Sequence, residues 1–300
     1  MGGFFMLQKL KRLGSYLIII VLLPYVITVF MNGQAVPASK TVDTMQVKTE
    51  RDGKETDVPL EDYCIGRMAK EIPVSYEKEA LRAQAVLVRT TVYTQIKDNG
   101  SQTVFSDGYW TNDDMREQWG SGSYRKNYNR LKNAWDDTEG QVLMYGEQLA
   151  YVPYCRLTNG NTRDGKEVLG NEDYPYLKIK ECPYDIESRE QIQTKILDDM
   201  EVSVTETDTA GYVTSVQVGD ETMSGEEFRE KYKLASGSFV LQKYDGKLRV
   251  TTRGVGHGLG LSQYSANKMA KDGKTYDEIL EYFFEGTELK EVADIVSSTE

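Results

Sequence analysis

Three groups of residues have types and spacings that could do chemistry. The densest is Arg253-Gly-Val-Gly-His-Gly-Leu-Gly-Leu261, followed by Ser262-Gln263-Tyr264, which holds the only histidine of the chain, His257. Glycines alternating between a strand and a helix let a ligand approach backbone N–H groups, or let the loop itself tuck against the core. It is not the dinucleotide fingerprint, because Leu259 stands where the last glycine of G-x-G-x-x-G would fall. The second is Glu71, at the expected end of a helix beside Ile72 and Pro73. The negative end of a helix and partial burial both favour a protonated carboxyl, as a general acid needs near neutral pH. An ordinary surface glutamate has the same local sequence, and spacing alone does not single out Glu71 among 47 acidic residues. The third is the cysteines. Cys64 falls at core spacing with Leu60 and Met68, while Cys155 and Cys182 could stay free, pair as a disulfide, or join His257 as zinc ligands. A lone histidine excludes multi-histidine metal sites such as H-E-x-x-H.

The elements that must position these residues can be read from periodicity. A first strand is expected at Gln46 to Thr49. A helix over Pro59 to Lys70 should stop at about Glu71, because Pro73 disfavours helical geometry at Ile72. A second helix, N-capped by Ser75, continues through Ala80 to Ile96 and buries Leu81, Ala85, Val88 and Val92 on one face. Asp98 to Tyr128 is polar and reads as loop. Strands follow at Gln141 to Tyr145, Leu149 to Cys155, Tyr176 to Ile179, Val202 to Thr205 and Tyr212 to Val218. Ser224 with Glu227 forms a capping box for a short helix. Two strands joined by an Asp245-Gly246 turn come next, then helices from Ser262 and after Thr275. The expected class is α+β, with helical first and last segments around a strand-rich middle, preceded by one transmembrane helix.

Composition narrows the function classes. The chain has 300 residues, 39% hydrophobic and 28% charged, with 26 Gly and 7 Pro, as a globular protein does. Its net charge of -11 argues against nucleic acid as a partner. A mean hydropathy of -0.53 excludes a multi-span membrane protein. Twenty tyrosines suit either a polymer-binding cleft or a mixed core. Residues 1–39 carry Lys9, Lys11 and Arg12 and no acid, ahead of an apolar run from Tyr16 to Met31. That order is expected of an uncleaved signal anchor with a cytoplasmic N-terminus, or of a signal peptide cut near Val36-Pro37-Ala38. Either exports the rest of the chain.

Several blocks resemble the stage II sporulation protein D family, which includes amidase-enhancer-like proteins. They are Leu60-Glu61-Asp62-Tyr63 through Met68-Ala69-Lys70-Glu71-Ile72-Pro73, then Glu79-Ala80-Leu81-Arg82-Ala83-Gln84-Ala85-Val86 and Val88-Arg89-Thr90. Thr138-Glu139-Gly140, Asn159-Gly160-Asn161-Thr162 and Tyr174-Pro175-Tyr176-Leu177-Lys178 follow, and Gly254 to Tyr264 with Thr275 to Thr287 complete the order. The resemblance implies a membrane-anchored peptidoglycan lytic transglycosylase that cuts the MurNAc-GlcNAc bond of peptide-stripped glycan strands during engulfment. It puts the catalytic acid at Glu71 and substrate contacts at Arg89, Tyr176, Lys178, His257, Ser262 and Gln263. It requires no cofactor. The partners it implies are glycan strands, a cell-wall amidase, a small membrane scaffold protein and the cytoplasmic membrane. The alternative is a non-catalytic glycan binder that recruits or enhances the amidase. The implied organisation is a cytoplasmic tip and anchor over 1–33, an extracytoplasmic tether over 34–54, the cleaving domain over 55–290 and a tail over 291–300. One departure stands out: Tyr154-Cys155-Arg156-Leu157 replaces the His-Ser-Thr-Ser-like run of many relatives.

Overall fold

The computed structural model describes residues 45–100, 103–105 and 108–292, all within the compact unit Thr44–Glu300. The chain opens with a hairpin of β1 (Gln46–Arg51) and β2 (Lys54–Pro59), in register from Gln46 opposite Pro59 to Arg51 opposite Lys54. Asp52 and Gly53 turn it with φ of 54° and 73°, the conformation that Asp-Gly favours in two-residue hairpins. Val47 and Thr49 of β1 are buried, so part of the expected tether is structural. Helix α1 (Leu60–Glu71) follows directly. It stops where Pro73 requires, with Ile72 extended at φ -124° and ψ 139°.

Helix α2 (Lys78–Asn99) is the centre of the molecule. Its N-cap is Glu77 rather than Ser75, and the Glu77 N–H donates to Asn267 Oδ1 at 2.7 Å. Leu81, Ala85, Val88 and Val92 face one core, as expected, together with Ile65 and Met68 of α1. Ala80, Ala83, Val86 and Leu87 face a second core, so the helix is apolar on two sides. Beyond β3 (Val104–Phe105), parallel to β1, the segment expected as polar loop forms α3 (Asn112–Trp119) and α4 (Ser121–Asp136). Asn, Ser, Gly and Tyr are weak helix formers, and what fixes these helices is tertiary. Met115, Leu131, Ala134 and Trp135 enter the first core, and Thr111 with Asp114 closes a capping box.

The second core is covered by β4 (Gln141–Tyr145), β5 (Gln148–Leu149), β6 (Tyr154–Cys155), α5 (Gly165–Leu169) and α6 (Pro183–Ile186). The strand expected over Tyr176 to Ile179 is irregular chain instead. A module with its own core then forms from β7 (Ile192–Asp198), β8 (Val202–Thr207), β9 (Val213–Val218), β10 (Glu221–Ser224), α7 (Gly225–Lys231), β11 (Phe239–Tyr244) and β12 (Lys247–Arg253). Its sheets are ordered β10-β9-β8 and β11-β12-β7, around Val216, Phe228, Phe239 and Val250. The chain returns through β13 (Leu261–Ser262), parallel to β6, then α8 (Gln263–Lys271), α9 (Tyr276–Phe283) and β14 (Glu288–Glu291), which pairs with β4.

The fold is therefore α+β with helices and strands interleaved, opened by a hairpin and closed by a strand. That corrects the expectation of helical ends around a strand-rich middle. The expected transmembrane helix is corrected too: no helix among the described residues is long and apolar enough to cross a membrane, and Tyr16 to Met31 lies outside them.

Two tight interior joints brace this side of the molecule, one within the second core and one against the module. Asp185 of α6 is fully buried and accepts from Thr158 N at 2.7 Å, Thr158 Oγ1 at 2.6 Å, Ser262 Oγ at 2.9 Å and Ser265 Oγ at 2.7 Å. Burial raises its pKa against the opposing pull of these donors. The glycine loop 254–260 lies against this joint. Gly254, Gly256, Gly258 and Gly260 all have positive φ. A Cβ at Gly258 would sit 2.2 Å from the Tyr212 ring, and one at Gly260 would sit 1.9 Å from Pro153 O. Close backbone approach, not ligand access, explains the glycines. His257 in this loop accepts from Leu259 N through Nδ1 at 3.1 Å, and burial lowers its pKa.

Two outcomes are expected. Asp185→Ala should lower stability by on the order of 3 kcal/mol, because interior donors lose their acceptor, and Asp185→Asn should cost less; urea unfolding of both variants checks this. His257, as the only histidine, should titrate as a single imidazole NMR signal with a midpoint below the usual value of about 6.5. A depressed histidine pKa means that the unfolded chain binds the extra proton first. Stability should therefore fall as pH drops below about 6.5 and stop falling below the folded-state midpoint.

Candidate active site

The last turn of α1 carries both Arg67 and Glu71. Their i,i+4 spacing stacks them on one face, where Arg67 donates to Glu71 Oε1 through Nε at 3.1 Å and through Nη2 at 2.9 Å. The second carboxylate oxygen, Oε2, accepts a short hydrogen bond from the phenol of Tyr154. Tyr154 arrives from β6, on the other side of α2. The carboxylate is thus gripped from its own helix and from the second core. Both side chains of the ion pair are largely buried, at 14% and 19% exposure. Burial is the largest single influence and acts to lower the Arg67 pKa, but the charges of Glu71, Tyr154 and Tyr63 and the hydrogen bond to Glu71 together outweigh it, and the net shift is upward. Burial and the Glu71 charge push the Tyr154 phenol up as well, so it stays protonated.

These groups open onto a cavity of about 330 Å³. Tyr63, Arg67 and Glu71 line it from α1, Gln95 and Asn99 from α2, and Phe105 from β3. Among its described lining residues Glu71 is the one carboxyl. The hydrogen-bonding groups are an amide pair, a guanidinium and a hydroxyl, beside an aromatic wall. Such a lining can hold a neutral polyhydroxylated ligand and move one proton.

Of the residues expected at the site, this cavity contains only Glu71. Arg89 is 2% exposed and faces α4 instead. It donates to Trp135 O and Gln141 O at 3.1 Å and to Thr138 Oγ1 at 3.3 Å, with its guanidinium 3.7 Å from the centre of the Trp135 ring. Tyr176 is buried, its phenol oxygen accepting from Tyr151 N at 2.7 Å. Lys178 is exposed, 3.4 Å from Glu285. Ser262 belongs to the Asp185 joint, and Gln263 donates to Gln84 Oε1 at 3.1 Å in the interior. His257 is held in the glycine loop. Arg67 and Tyr154 were not anticipated. The spacing of Arg67 to Glu71 is a readable local signal, whereas Tyr154 is 83 residues away and has none.

The zinc set does not form. Cys64, Cys155 and Cys182 are buried free thiols, so no disulfide joins Cys155 to Cys182. Burial pushes the Cys182 thiol up to about 12 and raises Cys155 as well; a metal ligand needs the thiolate. No group of three or more His, Cys, Asp or Glu among the described residues is placed to hold a metal ion, so His257 does not join the cysteines.

The stretch of chain that carries this cavity falls within a match to a known family. The family profile described as Stage II sporulation protein matches residues 50–145, which include α1, α2 and Glu71. The chain is 31% identical to stage II sporulation protein D of Bacillus subtilis (strain 168) over 288 residues, covering 85% of this chain and 83% of that protein. It is 30% identical to the protein of the same name from Bacillus amyloliquefaciens, covering 80% and 76%. The amidase enhancer of Bacillus subtilis (strain 168) is 27% identical over 75% of this chain and 40% of its own length. With the two stage II sporulation protein D relatives matched over most of their length, the chain belongs to the stage II sporulation protein D family, whose function is related to sporulation and the cell wall.

Proposed function

We propose that the protein is a lytic transglycosylase that cuts the bond between N-acetylmuramic acid and N-acetylglucosamine in peptidoglycan glycan strands. The observation that carries this reading is Glu71, the one carboxyl among the described lining residues of the cavity, gripped by Arg67 and Tyr154. Glycoside hydrolases ordinarily use two carboxyl groups, because a water must be activated or a glycosyl intermediate formed. A lytic transglycosylase needs one, because the sugar's own 6-hydroxyl replaces water.

The two oxygens of Glu71 have different partners, and this assigns their work. Arg67 can only donate, so Oε1 is fixed as an acceptor. The Tyr154 hydroxyl can donate or accept, so turning it lets Oε2 carry a proton. That proton passes to the glycosidic oxygen as the C1–O bond breaks. The 6-hydroxyl oxygen then bonds to C1, closing the 1,6-anhydro ring, and returns its proton to Oε2. Tyr154 donates to the carboxylate between the two transfers. No water is consumed, and Glu71 ends as it began.

A second reading is favoured by the amidase enhancer relative: a glycan binder that recruits or stimulates a cell-wall amidase without cutting. In either reading an amidase is the proposed partner and wall remodelling in sporulation the setting.

Mass spectrometry of glycan strands incubated with the protein separates the two. The expected products end in 1,6-anhydro-N-acetylmuramic acid and are absent with Glu71→Gln. Reducing ends would point to hydrolysis, and bound but uncut strands to the binder. Tyr154→Phe should slow cutting on the order of 10²-fold, through misplacement of the carboxyl, while strand binding persists in a pull-down assay.

A further inference from the structure

A second cavity, of about 450 Å³, adjoins the one at Glu71. Gly108 lines both, and consecutive residues of α1 reach them, Glu71 the first and Lys70 the second. Gly108 has no side chain, and a Cβ built there would meet nothing within 4 Å apart from its chain neighbours, so Gly108 itself puts no side chain between the cavities.

The wall of this cavity is held rigidly. Trp110 N donates to Gly66 O at 3.0 Å, and α1 comes so close that a Cβ on Gly66 would lie 2.3 Å from Trp110 O. The Trp110 ring meets Trp119 edge-on at 6.1 Å, and Tyr109 packs on Tyr63 at 5.1 Å. The Tyr109 phenol lies 3.3 Å from the buried Thr49 hydroxyl. Opposite these rings, Arg51 forms a two-pronged pair with Asp114, at 2.5 and 2.9 Å. Arg51 is raised and Asp114 is depressed, each chiefly by their mutual hydrogen bond. Glu50, Asp52, Lys70 and Gln118 complete the rim.

The lining charges are mixed in sign, Arg51 paired with Asp114 beside Glu50, Asp52 and Lys70, so no strong excess of one sign favours an ion. The cavity offers aromatic rings together with planar donors and acceptors in fixed positions, which suits the apolar face and the hydroxyls of a neutral pyranose. Its volume is in the range of small-molecule sites. We propose that this second cavity is a neutral-sugar subsite, which takes the glycan strand after it crosses Gly108 from the bond at Glu71. The inference rests on the glycan reading of the Glu71 cavity and adds the direction in which the strand runs. A strand lying this way gains affinity with length, because its far sugars stack on a wall that needs no ordering.

The test is a binding titration of the full chain carrying Glu71→Gln, which cannot cut. The probes are β-1,4-linked N-acetylglucosamine oligomers of two and of six sugars. The hexamer should bind about tenfold tighter than the dimer, a gain of about 1.4 kcal/mol. Adding Trp110→Ala should bring the hexamer down to the affinity of the dimer, and Trp110→Phe should restore most of the gain. Gln118→Ala, at an exposed helical position, should reduce the gain without disturbing the fold. Equal affinities for the two oligomers would overturn the subsite while leaving the Glu71 cavity as a sugar site. So would a length gain that survives both Trp110→Ala and Gln118→Ala. Failure of both oligomers to bind would overturn the glycan reading itself, and the subsite with it.

Discussion

Helix α2 is buried on two opposite sides, and the rest of the molecule is arranged to allow it. A helix in that position cannot keep a charged stripe in water along its middle turns. The one charge it carries there, Arg89, is neutralised from within. The guanidinium lies on Trp135 and donates to Trp135 O and Gln141 O, carbonyls at and just beyond the negative end of α4. Removing a guanidinium from water is costly unless its donors are met. Meeting them fixes where α4 ends and where β4 begins. Thr90 adds to the same joint by accepting from Leu143 N at 2.9 Å. The first core and the second are thereby locked at one distance across α2.

That distance decides whether Glu71 has one partner or two. Arg67 belongs to the same helix as Glu71 and would meet it in any arrangement of the cores. Tyr154 is carried by β6, which is placed by its parallel pairing to β13 and by the second core behind it. The phenol reaches Oε2 only because both cores pack on the same helix. The carboxyl thus acquires its asymmetry, a fixed oxygen and a switchable one, from long-range packing.

This explains what could be read beforehand. The end of α1 was legible, because Pro73 acts on Ile72 through local sterics. The Asp245-Gly246 turn, the Ser224–Glu227 and Thr275–Glu278 capping boxes and the two terminal helices were legible for the same reason. The Asp52-Gly53 turn carries the same signature as Asp245-Gly246 and was passed over because its flanking strand β2 is charged and exposed. Helices α3 and α4 were hidden because Asn, Asp, Ser, Gly and Tyr dilute their pattern, and what holds them is the Thr111–Asp114 capping box and burial of Met115, Leu131 and Trp135. Around the cavity, the place of Glu71 at the end of α1 could be read from Pro73, whereas Arg67 was not singled out, although its i,i+4 spacing to Glu71 is a local signal. Arg89, Tyr176, Ser262 and Gln263 were expected at the cleft, but all are in the interior. A polar residue in a recognisable motif looks the same in sequence whether it meets a ligand or meets a buried carbonyl.

The module from β7 to β12 enters and leaves the fold at one point. Gly254 N donates to Gln191 O at 2.8 Å, so the residues just outside its first and last strands are hydrogen-bonded to each other. Its core shares no member with the two cores that flank α2. Such an insert is a cassette: its two stems already touch, so its length and sequence can change without stretching the chain that carries Tyr154 or Glu71. One tie that limits this freedom, beside the Arg163–Asp208 ion pair, is Tyr212, whose phenol accepts from Asn159 N at 3.0 Å and whose ring fills the space left by Gly258. Any replacement cassette would have to bring its own ring to that spot.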